Sequence, residues 1–196
     1  MAVLNVGILI SGRGSNMQAL AADLARPGAP ARVALVVSNR PDAAGLQAAA
    51  ALGLATETVD HAAFADREAF EAAVTAALEA AGCRLVCLAG FMRVLGPAFV
   101  RHWAGRLVNI HPSLLPAYKG LHSHARALAD GAAEAGCSVH WVTDELDGGP
   151  VIAQRRVPVF ADDTAETLAD RVLEQEHRLY PEVVRAIAHG TVRARA

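Results

Sequence analysis

Val3-Leu4-Asn5-Val6-Gly7-Ile8-Leu9-Ile10-Ser11-Gly12-Arg13-Gly14-Ser15-Asn16 opens the chain with an apolar run that stops at a glycine loop. A continuous apolar run bounded by turn residues reads as a strand buried on both faces. Met17 to Ala25 then reads as helix. Strand, glycine loop and helix in that order form the first unit of a doubly wound α/β sheet, and the loop is where such a sheet seats phosphate. Glycines let the backbone approach an anion, and the helix start offers free N–H groups and the positive end of its dipole.

The rest of the chain repeats the alternation. Arg32 to Val37 is a second strand, closed by Ser38-Asn39-Arg40-Pro41, and Ala43 to Leu52 is helical. Ala55 to Val59 is a short strand. Asp66 to Ala81 reads as helix, with acids early and Gly82 at its end. Leu85 to Ala89 and Arg106 to Ile110 are further apolar strands. Ser138 to Val142 and Val151 to Val159 follow without a helix between them, so they are expected to pair antiparallel at one edge. Thr164 to His189 is the long closing helix. The expected class is α/β, a Rossmann-like doubly wound and mostly parallel sheet with an antiparallel edge. A single domain is expected over residues 1–190, with a flexible C-terminal tail at 191–196.

Composition narrows the function. The 196 residues are 53% hydrophobic, and 18 Lys and Arg face 20 Asp and Glu, a formal charge of -2. Near balance argues against a nucleic-acid coat or a basic membrane patch. The first apolar run has no basic leader, and no run reaches the ~20 residues of a membrane span. The reading is a soluble, cytoplasmic chain. Three cysteines, Cys83, Cys87 and Cys137, lack CxxC spacing and read as buried small hydrophobes. Cys83 and Cys87 would share one face of a strand. No metal-ligand cluster is apparent, and none is expected.

The glycine loop could serve a dinucleotide. Met17 stands where GxGxxG needs its third glycine, and Asn39 and Arg40 end the second strand where a ribose-binding acid belongs. A phosphomonoester suits the loop better, and a ligand-free glycine turn is the plain alternative.

Asn109-Ile110-His111-Pro112 is the sharpest chemical signal. Residues two apart at a strand end project the same way, and Pro112 holds His111 extended. An amide and an imidazole then leave the carboxyl edge of the sheet together, where one can bind an oxyanion and the other carry a proton. Of the other histidines, His61, His102, His177 and His189 read as solvated surface. His122 and His124 flank Ser123 near an expected helix start and read as capping or surface residues. His140 sits in a strand as a core residue or a supporting one. Asp144-Glu145-Leu146-Asp147-Gly148-Gly149-Pro150 is a loop between strands. It reads equally as a solvated turn or as a carboxylate beside His111, where it would raise the imidazole's pKa.

Four segments in register resemble the glycinamide ribonucleotide formyltransferase family. They are Ile10 to Asn16, Leu88-Ala89-Gly90-Phe91-Met92-Arg93-Val94-Leu95, Asn109 to Pro116, and Asp144 to Pro150. The resemblance runs from residue 3 to about residue 190 and implies the formyltransferase fold. It implies that Asn109, His111 and Asp147 are catalytic. Gly14, Ser15 and Asn16 would hold the substrate phosphate, and Glu176 the ribose hydroxyls. Met92, Arg93, Val94 and Leu95, with Val142, Thr143, Asp144, Asn109 and Arg67, would bind the folate. Formyl would pass from 10-formyltetrahydrofolate, acting as cosubstrate, to glycinamide ribonucleotide, a step of purine synthesis. The sequence departs from some relatives at Ala117 and Lys119, where Lys and Pro stand instead. A homodimer is compatible with the reading.

Rival readings are weaker. A formyltetrahydrofolate deformylase would use water as acceptor and carry an additional N-terminal domain, for which a strand starting at residue 3 is read as leaving no room. A methionyl-tRNA formyltransferase would need an RNA-binding domain and a more basic surface. An NAD-dependent oxidoreductase fits the sheet but not the loop, and a pure binding module leaves Asn109, His111 and Asp147 without a purpose.

Overall fold

Strand formation follows the apolar runs. The computed structural model describes residues 3–194, and Met1, Ala2, Arg195 and Ala196 lie outside it. In chain order the elements are β1 (Leu4–Ile10), α1 (Ser15–Leu24), β2 (Ala31–Ser38), α2 (Ala44–Ala51) and β3 (Thr56–Thr58). A short 3-10 turn (His61–Ala63), α3 (Arg67–Ala80), β4 (Leu85–Leu88), α4 (Pro97–His102) and β5 (Leu107–His111) follow. The chain ends with α5 (Ser123–Ala129), β6 (Glu134–Trp141), β7 (Val151–Pro158) and α6 (Ala165–Ala188).

The strands make one seven-stranded sheet in the order β3-β2-β1-β4-β5-β6-β7. The first five lie parallel, while β5–β6 and β6–β7 are antiparallel. The expected α/β sheet with an antiparallel edge is the one observed. Side chains alternate across it. Ile8 and Ile10 of β1 join the core that contains Leu20 of α1 and Leu168, Val172 and Tyr180 of α6. Leu9 faces the opposite core, with Phe70, Val74 and Leu78 of α3 and Phe99 of α4. Gly7 on that second face lets α3 lie directly on β1, because a Cβ there would collide with Leu78. Tyr180 reaches through the first core to donate to the carbonyls of Leu88 and Val108, tying α6 to the middle of the sheet.

Boundaries moved where caps or close contacts outrank periodicity. Helix α1 starts at Ser15, not Met17, because Gly14 adopts a left-handed φ of 72° and becomes its N-cap. Strand β6 starts four residues before Ser138, at Glu134. Helix α4 was not expected, although Pro97 just inside its start is a helix signal. Cys83 precedes β4 and packs in the α3 core, whereas Cys87 packs in the α6 core, so the two do not share a face. All three thiols are buried, and burial pushes them up to about 11 for Cys83 and about 12 for Cys87 and Cys137. Of the tail at 191–196, the described part folds back. Thr191 donates to the Ala186 carbonyl, and Val192 and Ala194 pack on the core. Among the described residues no helix is long and apolar enough to cross a membrane.

Candidate active site

The sheet order reverses between β1 and β4, and a ligand crevice is expected outside the carboxyl ends of such strands. Among the loops that leave that edge are those after β1, β4 and β5. The first is the glycine loop. Gly14 lies against α2, where a Cβ would stand 3.0 Å from Gly45 Cα, and Gly45 N donates to Gly12 O at 2.9 Å. This contact fixes the loop so that the first N–H groups of α1, from Ser15 onward, face the crevice with no acid in the first turn.

Asn16 is buried and donates through Nδ2 to Glu176 Oε2 at 2.6 Å, a contact across 160 residues. Asn16 Oδ1 is buried without a hydrogen-bond partner among the described residues. Burial of Glu176 on α6 raises its carboxyl above the ordinary value, against the bond from Asn16. The structure thus brings Gly14, Ser15, Asn16 and Glu176 together beside one helix start.

Asn109 and His111 come from the end of β5 and Asp147 from the β6–β7 loop. His111 Nδ1 faces Asp147 Oδ2 at 3.4 Å, and both side chains are more than nine-tenths buried. The other ring nitrogen, Nε2, meets the Tyr118 carbonyl at 3.1 Å. A carbonyl only accepts, so Nε2 carries the proton. Gly120 N donates to Asp147 Oδ2 at 2.9 Å, which ties the carboxylate to the segment after β5. Asp147 itself has a φ of 48°, a left-handed conformation that non-glycine residues rarely adopt and that clusters at functional sites.

The sequence did not single out His140 for this cluster. It stands on β6 opposite Asn109, with its Nε2 3.6 Å from Asp147 Oδ1. Its Nδ1 donates to Trp141 O at 2.9 Å, so in the neutral ring Nε2 accepts from Asn109 Nδ2 at 3.1 Å. The amide of Asn109 is therefore oriented by His140 and not by His111. The available signal was the antiparallel edge, which sets 109 opposite 140.

The electrostatics correct one expectation. His111 was expected above its ordinary value because of Asp147. Burial dominates and lowers it below 6.5, although the Tyr118 carbonyl and Asp147 both pull upward. For Asp147, burial pushes the carboxyl up, but His140, the Gly120 N–H and His111 together outweigh it and hold it below 3.8. The resting pair is then an ionised Asp147 beside a mostly neutral imidazole at neutral pH.

The loop after β4 exposes Met92 (72%) and Val94 (67%), two apolar side chains in water. Phe91, Leu95 and Val142 pack on the same α3 core. Val142, Thr143 and Asp144 line a cavity of about 280 Å³ with Val100 and Arg101. Arg67 begins α3, half exposed and 3.9 Å from Glu71, and Arg93 stacks over the Phe70 ring at 5.6 Å. Lys119 reaches Glu145 at 2.7 Å, joining the two segments on either side of His111.

Two histidines read as solvated surface are not. His61 Nδ1 contacts the Asn39 carbonyl at 2.8 Å, and His177 Nε2 is buried without a hydrogen-bond partner among the described residues. His122 is the left-handed N-cap residue of α5, without a side-chain cap bond. His124 Nε2 is buried and likewise unpartnered among the described residues.

The profile of the family described as formyl transferase matches residues 4–184. Phosphoribosylglycinamide formyltransferase of Escherichia coli K12 is 50% identical over 190 residues, 97% of this chain and 90% of that protein. The trifunctional purine biosynthetic protein adenosine-3 of Gallus gallus is 44% identical over 96% of this chain but only 19% of its own length. The crystal structure of phosphoribosylglycinamide formyltransferase from Brucella melitensis superposes with a TM-score of 0.92 at 49% identity, covering 97% of this chain and 98% of that one. With the profile match, the sequence identity and the shared fold in agreement, the chain belongs to the formyl transferase family, among its phosphoribosylglycinamide formyltransferases.

Proposed function

We infer that this chain transfers the formyl group of 10-formyltetrahydrofolate to the amine of glycinamide ribonucleotide, giving N-formylglycinamide ribonucleotide and tetrahydrofolate in purine biosynthesis. The observation that carries the reading is the convergence of Asn109, His111 and Asp147 at the end of β5, on the sheet edge from which the loop into α1 and the apolar loop after β4 also leave. The ribonucleotide phosphate sits on the N–H groups of Gly14, Ser15 and Asn16, with its ribose hydroxyls toward Glu176. The folate ring lies against residues 92–95 and 142–144, with Arg67 toward its acidic tail. Seating both reactants in one crevice removes much of the entropy cost of their encounter.

The neutral amine attacks the formyl carbon, and the carbonyl oxygen gains charge as the tetrahedral adduct forms. Asn109 Nδ2 and His111 Nε2 donate to that oxygen, which takes the place now held at Nε2 by the Tyr118 carbonyl. One preorganised donor of this kind contributes on the order of 3 kcal/mol to the transition state. An anion forming beside His111 raises the ring's proton affinity, and the ionised Asp147 beside Nδ1 favours the same charged form. Asp147, held ionised by its neighbours, accepts the proton shed by the adduct's ammonium and returns it through water to the leaving folate nitrogen. Among the described residues no group of three or more His, Cys, Asp and Glu could hold a metal ion.

Absorbance of released tetrahydrofolate, with and without glycinamide ribonucleotide, tests the reading. Release that requires the ribonucleotide is expected. Equal release without it would make the chain a hydrolase acting on the same donor.

A further inference from the structure

Residues 91–96 form an apolar loop in which Phe91 and Leu95 pack on the α3 core while Met92 and Val94 point into water. Its backbone is held by two buried side chains from elsewhere in the chain. At one end Met92 N donates to Ser11 Oγ at 2.8 Å. At the other, Gly96 N donates to Glu71 Oε1 at 2.7 Å. Ser11 is 5% exposed and Glu71 4% exposed.

Neither acceptor is free to turn away. The Ser11 hydroxyl donates to Asn39 Oδ1 at 2.6 Å, which aims its lone pairs toward Met92. Asn39 is in turn held by His61. Ser11 N also donates to Gly90 O at 3.2 Å, so the loops after β1 and β4 are cross-linked twice. Glu71 sits under Gly96 so closely that a Cβ there would lie 2.9 Å from Oε2 and 3.0 Å from Arg67 Nε. Burying an acid is costly, and starting a short helix does not require one, because a Ser or Asp at position 96 would cap it.

We propose that Ser11 and Glu71 are positioning residues that hold the 91–96 backbone in the shape that receives the formyl donor; this rests on the reading that the loop holds that donor. A site's binding groups keep their geometry only when buried neighbours lock them. Neither residue touches the reacting atoms. Their effect belongs in donor affinity, not in the chemical step.

The test compares Glu71→Leu, Glu71→Gln and Ser11→Ala with the unaltered chain. It reads the KM of each substrate, kcat, and amide hydrogen exchange across residues 91–96. Losing one buried acceptor for a backbone N–H is expected to raise the donor KM about ten-fold, and exchange at that N–H by a similar factor. In Glu71→Leu the ribonucleotide KM and kcat stay within about three-fold, and Glu71→Gln recovers most of the donor affinity because its amide oxygen still accepts from Gly96. Should Glu71→Leu fold poorly, Ser11→Ala carries the same expectation at Met92. An unchanged donor KM in both variants overturns the proposal, and so does a Gln variant no better than Leu. Val94→Asp, inside the loop, separates the two claims. If it weakens donor binding while Glu71 and Ser11 variants do not, the loop is the donor site and the positioning claim fails. If it too leaves the donor KM unchanged, the placement of the donor fails with it.

Discussion

Both ring nitrogens of His111 face oxygen acceptors, Tyr118 O at 3.1 Å and Asp147 Oδ2 at 3.4 Å, which is the surrounding an imidazolium prefers. Burial nonetheless lowers the group below 6.5. Negative charge appearing beside the ring would raise its proton affinity, so the proposed hydrogen bond from Nε2–H is strongest when the adduct's oxygen is charged. His111→Ala removes the donor and is expected to cut kcat by about 10²–10³-fold. Asp147→Asn keeps the shape but loses the ionised partner, and about 10²-fold is expected for a lost acid–base group. Circular dichroism should show both variants folded. A kcat near that of the unaltered chain in either one removes that residue from the mechanism. Asn16→Leu ends the bond to Glu176 and crowds the proposed phosphate seat, so the ribonucleotide KM should rise at least ten-fold, a hydrogen bond to a charged group being worth roughly that much. Titration calorimetry with the ribonucleotide checks it, and unaltered binding would place the phosphate elsewhere. At this scale His111 was legible because Pro112 and Asn109 stand beside it in sequence. His140 was not, because its partners Asn109 and Asp147 lie 31 and 7 residues away by number and meet it only through strand pairing. The sign of the His111 shift was also hidden, since the depth of burial is set by the whole fold.

Helix α1 owes its start to Gly14, whose φ of 72° and 3.0 Å approach to Gly45 leave no room for a side chain. Gly14→Ala is expected to cost about 1–2 kcal/mol for the left-handed conformation and to weaken ribonucleotide binding at the same helix start. Urea unfolding gives the first quantity and the ribonucleotide KM the second. Stability equal to the unaltered chain would mean that the loop adopts another conformation. Elements with strong local patterns were legible: the continuous apolar strands β1, β2, β4 and β5, and α3 and α6 with side-chain N-caps at Asp66 and Thr164. Two features were masked by the residues that make them work. Gly136 hides the first half of β6 from a strand reading, yet a Cβ there would collide with the Arg155 carbonyl of β7. Helix α4 is only six residues long, too short for an apolar period to show.

Among the described residues, three buried or half-buried histidines sit below their ordinary value, His111, His124 and His177, each mainly because burial penalises the charged ring. The unfolded chain then binds these protons more readily than the folded one. Stability from them is fully present above pH 6.5 and is lost as pH falls from 6.5 through the folded values. Glu176, raised by burial, works in the opposite direction above 4.5, one group against three. Thermal unfolding should therefore show a Tm several degrees lower at pH 5.5 than at pH 7.5, by the same linkage. A flat profile would mean that these rings keep their protons in the folded state. The sheet that buries them also sets the function. Its order reverses between β1 and β4, and the loops after β1, β4 and β5 leave the same carboxyl edge. The direct measurement is the fate of a carbon-13 formyl label carried on the folate donor. With glycinamide ribonucleotide present, the label should appear on the ribonucleotide amine and be absent from formate. Label recovered as formate, with the ribonucleotide unmodified, would contradict the account.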